Sequence, residues 1–469
     1  MNNKAPAALA ALGDIVGPDW VKTSVDDKAT YGKDWTRAWT PAPLAIVLPR
    51  TTEEVIAIVK LALKENLALV PSGGRTGLSG GAVAAFGEVV VAFDRMNKIL
   101  EFNPVDRQVR CEAGVVTEQL QQFALDNDLL YPVDFASAGS SQIGGNVATN
   151  AGGIKVIRYG MTRNWVQGLK VVTGSGELLD LNRGLIKNAT GYDLRHLFIG
   201  SEGTLGLITE VTLSLSSLPT DPTVLLLGLE EMSSSMDILQ AFQSCLQLTA
   251  FEFFSDKALG HVMAEKSLPQ PFESRTNYYA LLEFENRSEQ DMENALGCFE
   301  SCMESGWISD GTVSQNLTQA QNLWRLREDI SETIAKFTPY KNDISVMVSK
   351  IPAFVAEVDA LVGQSYPDFE IIWFGHIGDG NIHLNILKPD AMETPDFFAK
   401  CGEVSEWVFN LVQKFGGSVS AEHGVGMLKK PYLQFSLDPG EIEIMQAMKR
   451  VFDPAGILNP GKIFDSVDP

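Results

Sequence analysis

Pro71-Ser72-Gly73-Gly74-Arg75-Thr76-Gly77-Leu78-Ser79-Gly80-Gly81 places five glycines in eleven residues, directly after the apolar run Ala68-Leu69-Val70. Glycine lets the backbone take positive φ and turn successive N–H groups inward, and concave arrays of such donors bind phosphate oxygens. A flexible surface turn is the other reading of the same residues. The loop is not a Walker A sequence, which needs Gly-Lys-Ser/Thr, nor a Gly-x-Gly-x-x-Gly turn opening a helix after a first strand. A nucleoside triphosphatase and a Rossmann nicotinamide enzyme are both disfavoured.

On the N-terminal side, Leu44 to Leu48 is a short apolar run and Thr51 and Glu54 have capping-box spacing. Val55, Ile58, Val59, Ala62 and Leu63 then recur at helical spacing as far as Asn66, so the order is strand, helix, strand, loop. On the C-terminal side strands are expected at 88–93, 109–115, 166–173 and 204–215, with a helix over 117–127. A second glycine-dense loop stands among them, Ser137-Ala138-Gly139-Ser140-Ser141-Gln142-Ile143-Gly144-Gly145-Asn146-Val147-Ala148-Thr149-Asn150-Ala151-Gly152-Gly153. Its small residues alternate with amides and hydroxyls, a composition suited to wrapping a polar planar ligand.

Leu218-Pro219-Thr220-Asp221-Pro222 breaks the pattern and marks a domain boundary. Beyond it, strands at 224–229, 251–254 and 278–284 alternate with helices at 236–248 and 289–304, as in an antiparallel sheet with helices on one face. A long helix over 318–336, a strand pair over 370–387, a helix over 397–415, a loop over 416–426 and a helix over 439–452 follow. The expected fold class is α+β: a nucleotide-binding part over 1–218, an antiparallel-sheet substrate part over 219–415 and a small helical segment over 416–469.

The 469 residues carry 37 Lys+Arg against 59 Asp+Glu, a formal net charge of −22. That balance excludes the broad basic surface that nucleic acid or an anionic membrane would require. Any site for a small anion must then supply its own cations. The five cysteines include Cys298 and Cys302, four apart as on one helix face, and suggest a reducing compartment without a disulfide framework. The N-terminus lacks a basic region before Ala7 to Leu12, and no stretch approaches the roughly 18 apolar residues of a membrane span. A cytoplasmic protein with no membrane span is expected.

His376-Ile377-Gly378-Asp379-Gly380-Asn381-Ile382-His383 sets two of the five histidines seven apart around a glycine turn. Ser420-Ala421-Glu422-His423-Gly424-Val425-Gly426 adds a carboxylate and a third imidazole. Two histidines and one carboxylate form an open ligand set for Zn²⁺, Mn²⁺ or Fe²⁺; histidines satisfied by ordinary hydrogen bonds are the alternative. His196 and His261 have no such neighbours and read as structural. Arg327 and Ser331 are one helical turn apart and could grip a carboxylate, and Lys341 opens a strand pattern; each alone also reads as a solvated charge.

The two glycine loops, Tyr159-Gly160 and Gly200-Ser201-Glu202-Gly203-Thr204-Leu205-Gly206-Leu207-Ile208-Thr209 resemble the FAD-binding domain of the vanillyl-alcohol-oxidase type flavoproteins over roughly residues 40–218. The resemblance implies a two-subdomain FAD-binding domain. Pro71, Ser72, Gly73, Gly74, Arg75, Thr76, Gly77, Ser79 and Gly80 would hold the pyrophosphate. Ser137, Gly139, Ser140, Gly144, Gly145, Asn146, Thr149, Asn150, Gly152, Gly153 and Tyr159 would run along the ribityl and isoalloxazine parts. Glu202, Gly203, Gly206 and Ile208 would lie toward the adenine. Neither loop contains a histidine, so non-covalent FAD is expected.

The second half resembles the C-terminal domain of the flavin-dependent D-2-hydroxy acid dehydrogenases. This implies His376, His383 and Glu422 as metal ligands, with zinc favoured over manganese or iron, and His423 as general base. Asn459, in Leu458-Asn459-Pro460-Gly461-Lys462, matches the turn that returns to the flavin. Arg327, Ser331, Lys341 and Asn385, with His423, match the substrate contacts of the branch acting on D-2-hydroxyglutarate, which usually has threonine at the Ser331 position. The implied reaction passes the hydroxyl proton to His423 and hydride to flavin N5. Dehydrogenation of D-lactate, glycolate or D-malate on the same scaffold, and a non-redox FAD transferase resembling alkyl-dihydroxyacetone-phosphate synthases, are the alternatives. A small anionic 2-hydroxy acid, an acceptor such as electron-transfer flavoprotein or a quinone, and a homodimeric partner complete the expectations.

Overall fold

The computed structural model describes residues 4–36 and 38–465, which form two compact units. The first gathers the chain up to Gly153, Gly160–Leu218 and the stretch from Glu422 onward; the second comprises Ile154–Tyr159 and Pro219–Ala421.

In the first unit, strands Ala45–Val47, Val89–Ala92 and Leu69–Ser72 run parallel, with Val21–Lys22 antiparallel at the edge. Helix Thr52–Glu65 makes the crossover. Its Thr51 N-cap hydroxyl accepts from the Glu54 amide, its stop is Asn66 in the left-handed region, and Val55, Ile58, Val59 and Ala62 form the buried stripe. Every residue of Val89–Ala92 is buried, as parallel strands covered on both faces require. The carboxyl end of Leu69–Ser72 opens directly into the first glycine loop, the usual place for a ligand in parallel sheets. Five further strands form an antiparallel sheet in the order Ile99–Asn103, Gln108–Glu112, Gly206–Ser214, Val166–Thr173 and Leu178–Leu181.

The second glycine stretch is not a continuous loop, because Ile143–Thr149 is helical. The glycines that argue against a helix by propensity serve its packing. A Cβ on Gly144 would stand 2.6 Å from that of Ala113, so only glycine lets this helix sit so close to its neighbouring strand end. The C-terminal turn is stitched to the same region: the Leu69 amide donates to the Ile457 carbonyl at 2.7 Å and the Asn459 amide to the Leu69 carbonyl at 2.7 Å.

The second unit is built on seven antiparallel strands in the order Asp310–Val313, Pro222–Leu229, Tyr278–Glu285, Leu248–Ser255, Glu370–His376, Asn381–Leu387 and Tyr340–Ser345. The face carrying Ala250, Phe254, Leu281, Ile372 and Phe374 packs against Ala258, Leu259 and Val262 of helix Asp256–Glu265 and Ala320, Trp324 and Leu326 of helix Leu317–Glu328. The single helix expected over 318–336 is divided into Leu317–Glu328, Ile330–Thr333 and a 3₁₀ turn at Ala335–Phe337. The first division falls at Asp329, a residue type of low helix propensity. All five cysteines are free, and no helix among the described residues is long and apolar enough to cross a membrane.

Candidate functional site

In a sheet, directly paired residues share a face and alternate residues along each strand point the same way. The register of the second unit therefore assembles a polar row. Phe254 pairs with Phe374, Phe374 with His383, and His383 with Asp343. Two residues along, His376 pairs with Asn381 and Asn381 with Ser345; two residues the other way, Ile372 pairs with Asn385 and Asn385 with Lys341. His376, His383, Asn385 and Lys341 thus lie on one face.

The turn between the histidine strands depends on glycine. Gly380 has φ +95, and a Cβ there would meet the Val346 carbonyl oxygen at 2.3 Å. With the turn closed, the imidazoles of His376 and His383 have centroids 5.4 Å apart at an interplanar angle of 83°. His376, His383 and Glu422 each offer a ligand atom, all within 4.8 Å of one another, the one such group of three among the described residues. Two imidazoles and a carboxylate fit an open divalent-metal site.

Both histidines have carboxylates behind them, and these were not among the residues the sequence pointed to. His376 Nδ1 lies 2.7 Å from Glu252 Oε1, and His383 Nδ1 lies 3.8 Å from Asp343 Oδ1, the latter too long for a hydrogen bond. Asp343 Oδ1 accepts from Asn381 Nδ2 at 2.8 Å. The acceptor at His376 Nδ1 leaves its Nε2 for a metal, the usual arrangement around ligating histidines.

Arg327 is 6% exposed, stands 4.7 Å over the Phe374 ring and pairs with Glu252 Oε2 at 2.9 Å. That pair is close but not aligned as a hydrogen bond, since Glu252 Oε2 and Arg327 Nε are both buried without one. Lys341 Nζ donates to Ser331 Oγ at 3.0 Å, bringing two of the expected substrate contacts together. Lys341 keeps accessible surface, yet protein atoms crowd its ammonium and desolvation lowers its pKa from the ordinary lysine value. Asn385 is buried and makes only long contacts of 3.4 Å to the Ile372 and His383 carbonyls. His261 pairs with Glu370, and His196 with Asp193 and Arg163.

The first unit holds a cleft of about 150 Å³. Of the residues expected at the cofactor, Pro71, Gly73, Gly74, Arg75, Thr76, Gly77, Gly144, Gly145, Asn146, Thr149, Glu202, Gly203, Gly206 and Ile208 line it. Asp34, Gly81, Ala82, Phe93, Ala113, Gln142, Ala148, Leu207 and His423 also line it. Ser72, Ser79, Gly80, Ser137, Gly139, Ser140, Asn150, Gly152, Gly153, Tyr159 and Asn459 lie outside the lining, and several are occupied elsewhere. Ser79 Oγ meets the His423 and Gly424 carbonyls at 2.7 and 2.8 Å, Asn459 Nδ2 donates to the Gly81 and Glu202 carbonyls, and Tyr159 belongs to the second unit, its hydroxyl 3.4 Å from Glu285.

The lining fits a dinucleotide. The amides of Gly73, Gly74, Arg75, Thr76 and Gly77 have no hydrogen-bond partner among the described residues, the condition for a phosphate cradle. Gln142 Oε1 is a buried acceptor without a donor, and a Cβ on Gly145 would meet nothing within 4 Å, leaving room for close approach of a ligand.

Glu202 fixes the loop that carries His423. Its carboxylate accepts from the Val425 and Gly426 amides at 2.7 and 2.8 Å, while Gly424, at φ +77, makes the turn between. Burial raises the Glu202 carboxyl to about 7, against the lowering effect of those two amides and of Lys462. Lys462 is itself buried, is lowered to about 8 and donates to the Val83 carbonyl at 2.8 Å.

Residues 218–463 match the family described as FAD linked oxidases, C-terminal domain, and residues 43–182 match an FAD binding domain. The chain is 64% identical over 459 residues to D-2-hydroxyglutarate dehydrogenase of Stutzerimonas stutzeri, covering 98% of this chain and 99% of that one. It is 37% identical to the mitochondrial D-2-hydroxyglutarate dehydrogenase of Bos taurus, covering 97% and 83%. Among solved structures, p-cresol methylhydroxylase superposes with a TM-score of 0.75 at 16% identity, covering 99% of this chain and 98% of that one. An alkyldihydroxyacetonephosphate synthase does so with 0.73 at 18% identity, covering 97% and 84%. At such identities the likeness establishes the fold alone, an α+β FAD-binding fold of the vanillyl-alcohol-oxidase type.

Proposed function

The chain belongs to the D-2-hydroxyglutarate dehydrogenase family of FAD-linked oxidases and is an FAD-dependent oxidoreductase, and we propose on that premise that it oxidises D-2-hydroxyglutarate to 2-oxoglutarate. The observation that carries the substrate is the spacing on the sheet face. Lys341 is two residues along its strand from Asp343, the partner of His383, which places its row about 7 Å from the histidine row. In the diacid, three C–C bonds separate the carbinol carbon from the distal carboxyl carbon, up to about 4 Å, and a hydrogen bond of about 3 Å completes the span. D-Lactate has no second carboxylate for Lys341 and Ser331 to hold. Arg327, with Nε buried and unpaired, supplies the other cation that an acidic chain must provide locally.

When bound, FAD would supply the hydride acceptor, and a divalent ion held by His376, His383 and Glu422 would supply the positive charge that makes an aliphatic hydroxyl acidic enough for an imidazole base. His423 takes the hydroxyl proton. Arg327 and Lys341 hold the two carboxylates, and Asn385, opposite Lys341, orients the carbon chain between them. Five unpaired cysteines support a reducing, cytoplasmic setting.

Lys341→Ala tests the substrate. A hydrogen bond to a charged group contributes about 1.5–3 kcal/mol, so KM for D-2-hydroxyglutarate should rise roughly 10- to 150-fold while activity on D-lactate stays unchanged. Equal effects on both acids would transfer the assignment to a monocarboxylate. Because burial lowers the Lys341 pKa, the charge is lost earlier than in a free lysine. The kcat/KM for the diacid should therefore fall on the alkaline side below pH 10.4, and Lys341→Ala should remove that limb.

Glu202→Gln tests the support of the base. A glutamine has one acceptor oxygen for two amides, and its NH₂ would face the second amide. Flavin reduction should slow roughly 10- to 100-fold, the order associated with a misplacement near 1 Å, with FAD retained. In the parent protein the hold should weaken as pH falls through about 7, because only the ionised carboxylate accepts from both amides without offering a proton of its own. A rate and pH profile unaltered in Glu202→Gln would show that the loop holds itself.

A further inference from the structure

Glu252 is the only charged residue of strand Leu248–Ser255, set within Ala250-Phe251-Glu252-Phe253-Phe254 and 1% exposed. An apolar residue would suit that packing, and a carboxylate there loses several kcal/mol of hydration unless it is paired. Its two oxygens face different groups: Oε1 is 2.7 Å from His376 Nδ1, and Oε2 is 2.9 Å from Arg327 Nη2.

We propose that Glu252 is a positioning residue that ties the metal ligand His376 to the substrate cation Arg327. The inference rests on the functional reading above. A carboxylate can only accept, so His376 Nδ1 must carry the hydrogen, which fixes the tautomer and presents the Nε2 lone pair to the ligand site. The second oxygen holds the guanidinium over Phe374, whose ring lies 5.0 Å from that of His383. Arg327 Nε, buried and without a partner, is left to the substrate. One side chain thus sets the distance between the point where the hydroxyl is bound and the point where a carboxylate is gripped, and both should loosen when it changes.

The test uses the FAD-loaded protein, with Zn²⁺ affinity measured by competition against a chromophoric chelator and KM and kcat measured separately. Glu252→Gln should weaken Zn²⁺ binding roughly 10- to 100-fold and raise KM for D-2-hydroxyglutarate with FAD content unchanged, and Glu252→Asp should recover part of both. Folded Glu252→Gln with wild-type Zn²⁺ affinity would overturn the proposal. If Glu252→Gln does not fold, Glu252→Gln/Arg327→Met removes the stranded cation and takes its place. Zn²⁺ affinity in that variant equal to Arg327→Met alone would overturn the proposal equally. Zn²⁺ binding lost in His383→Ala but kept in Glu252→Gln would remove only the role of Glu252. No Zn²⁺ binding even in the wild type would remove the metal reading and this inference with it.

Discussion

His423→Asn lowers the rate of flavin reduction by D-2-hydroxyglutarate roughly 10²- to 10⁴-fold, the usual contribution of a positioned general base, and leaves FAD bound. The side chain can be changed without releasing its loop because the anchors are backbone groups. Ser79 Oγ holds the His423 and Gly424 carbonyls, the Met427 and Leu428 amides donate to the Ser79 carbonyl, and Glu202 holds the next two amides. Asparagine keeps a polar side chain at the cleft but has no basic nitrogen to take a proton. Stopped-flow reduction, with the visible absorbance of the bound flavin as the readout, separates loss of chemistry from loss of cofactor. Reduction at the parent rate would remove His423 from the role of base.

His383→Ala abolishes stoichiometric metal binding and lowers turnover about 10³-fold. A divalent ion lowers the pKa of bound water from about 15.7 to about 7, and a modest share of that effect on a substrate hydroxyl accounts for such a loss. His383 is the better ligand to remove. Its contact with Asp343 is 3.8 Å, and Asp343 keeps the Asn381 amide. Removing His376 instead takes the closest partner from Glu252, a carboxylate 1% exposed, and mixes a stability loss of several kcal/mol into the result. Metal content measured on the folded, yellow protein checks the assignment. Unchanged content would show that the two imidazoles serve a structural purpose.

Much of this was legible in the chain because the deciding signals are local. The Thr51 cap, the apolar stripe from Val55 to Ala62 and the glycine loop after Leu69-Val70 each fall within one or two turns of chain; the Thr51 hydroxyl caps the helix as expected, but the Glu54 carboxylate accepts from the Arg50 amide instead of the Thr51 amide, so the full capping box is not formed. The His376–His383 turn was readable for the same reason, since its glycine at Gly380 takes a positive φ of 95 within the turn itself. Glu252 and Asp343 were missed because their roles come from register. Glu252 meets His376 across 124 positions of sequence, and nothing in Phe251-Glu252-Phe253 names that partner. The available signal was a lone charge in an apolar strand, which is too costly to bury without a purpose. Helix Ile143–Thr149 was hidden by its glycines, whose low propensity is overridden by contact with Ala113. Helix Ile351–Ser365 is apolar enough, with Phe354, Val355, Val358 and Val362 buried, that its periodicity did not stand out.

The most direct measurement is anaerobic mixing of the yellow protein with D-2-hydroxyglutarate, D-lactate, glycolate and D-malate, before and after chelation. The account predicts that D-2-hydroxyglutarate bleaches the flavin fastest, that chelation stops the bleaching, and that added Zn²⁺ or Mn²⁺ restores it. Bleaching that is indifferent to chelation, or a flavin that D-2-hydroxyglutarate leaves oxidised, would contradict it.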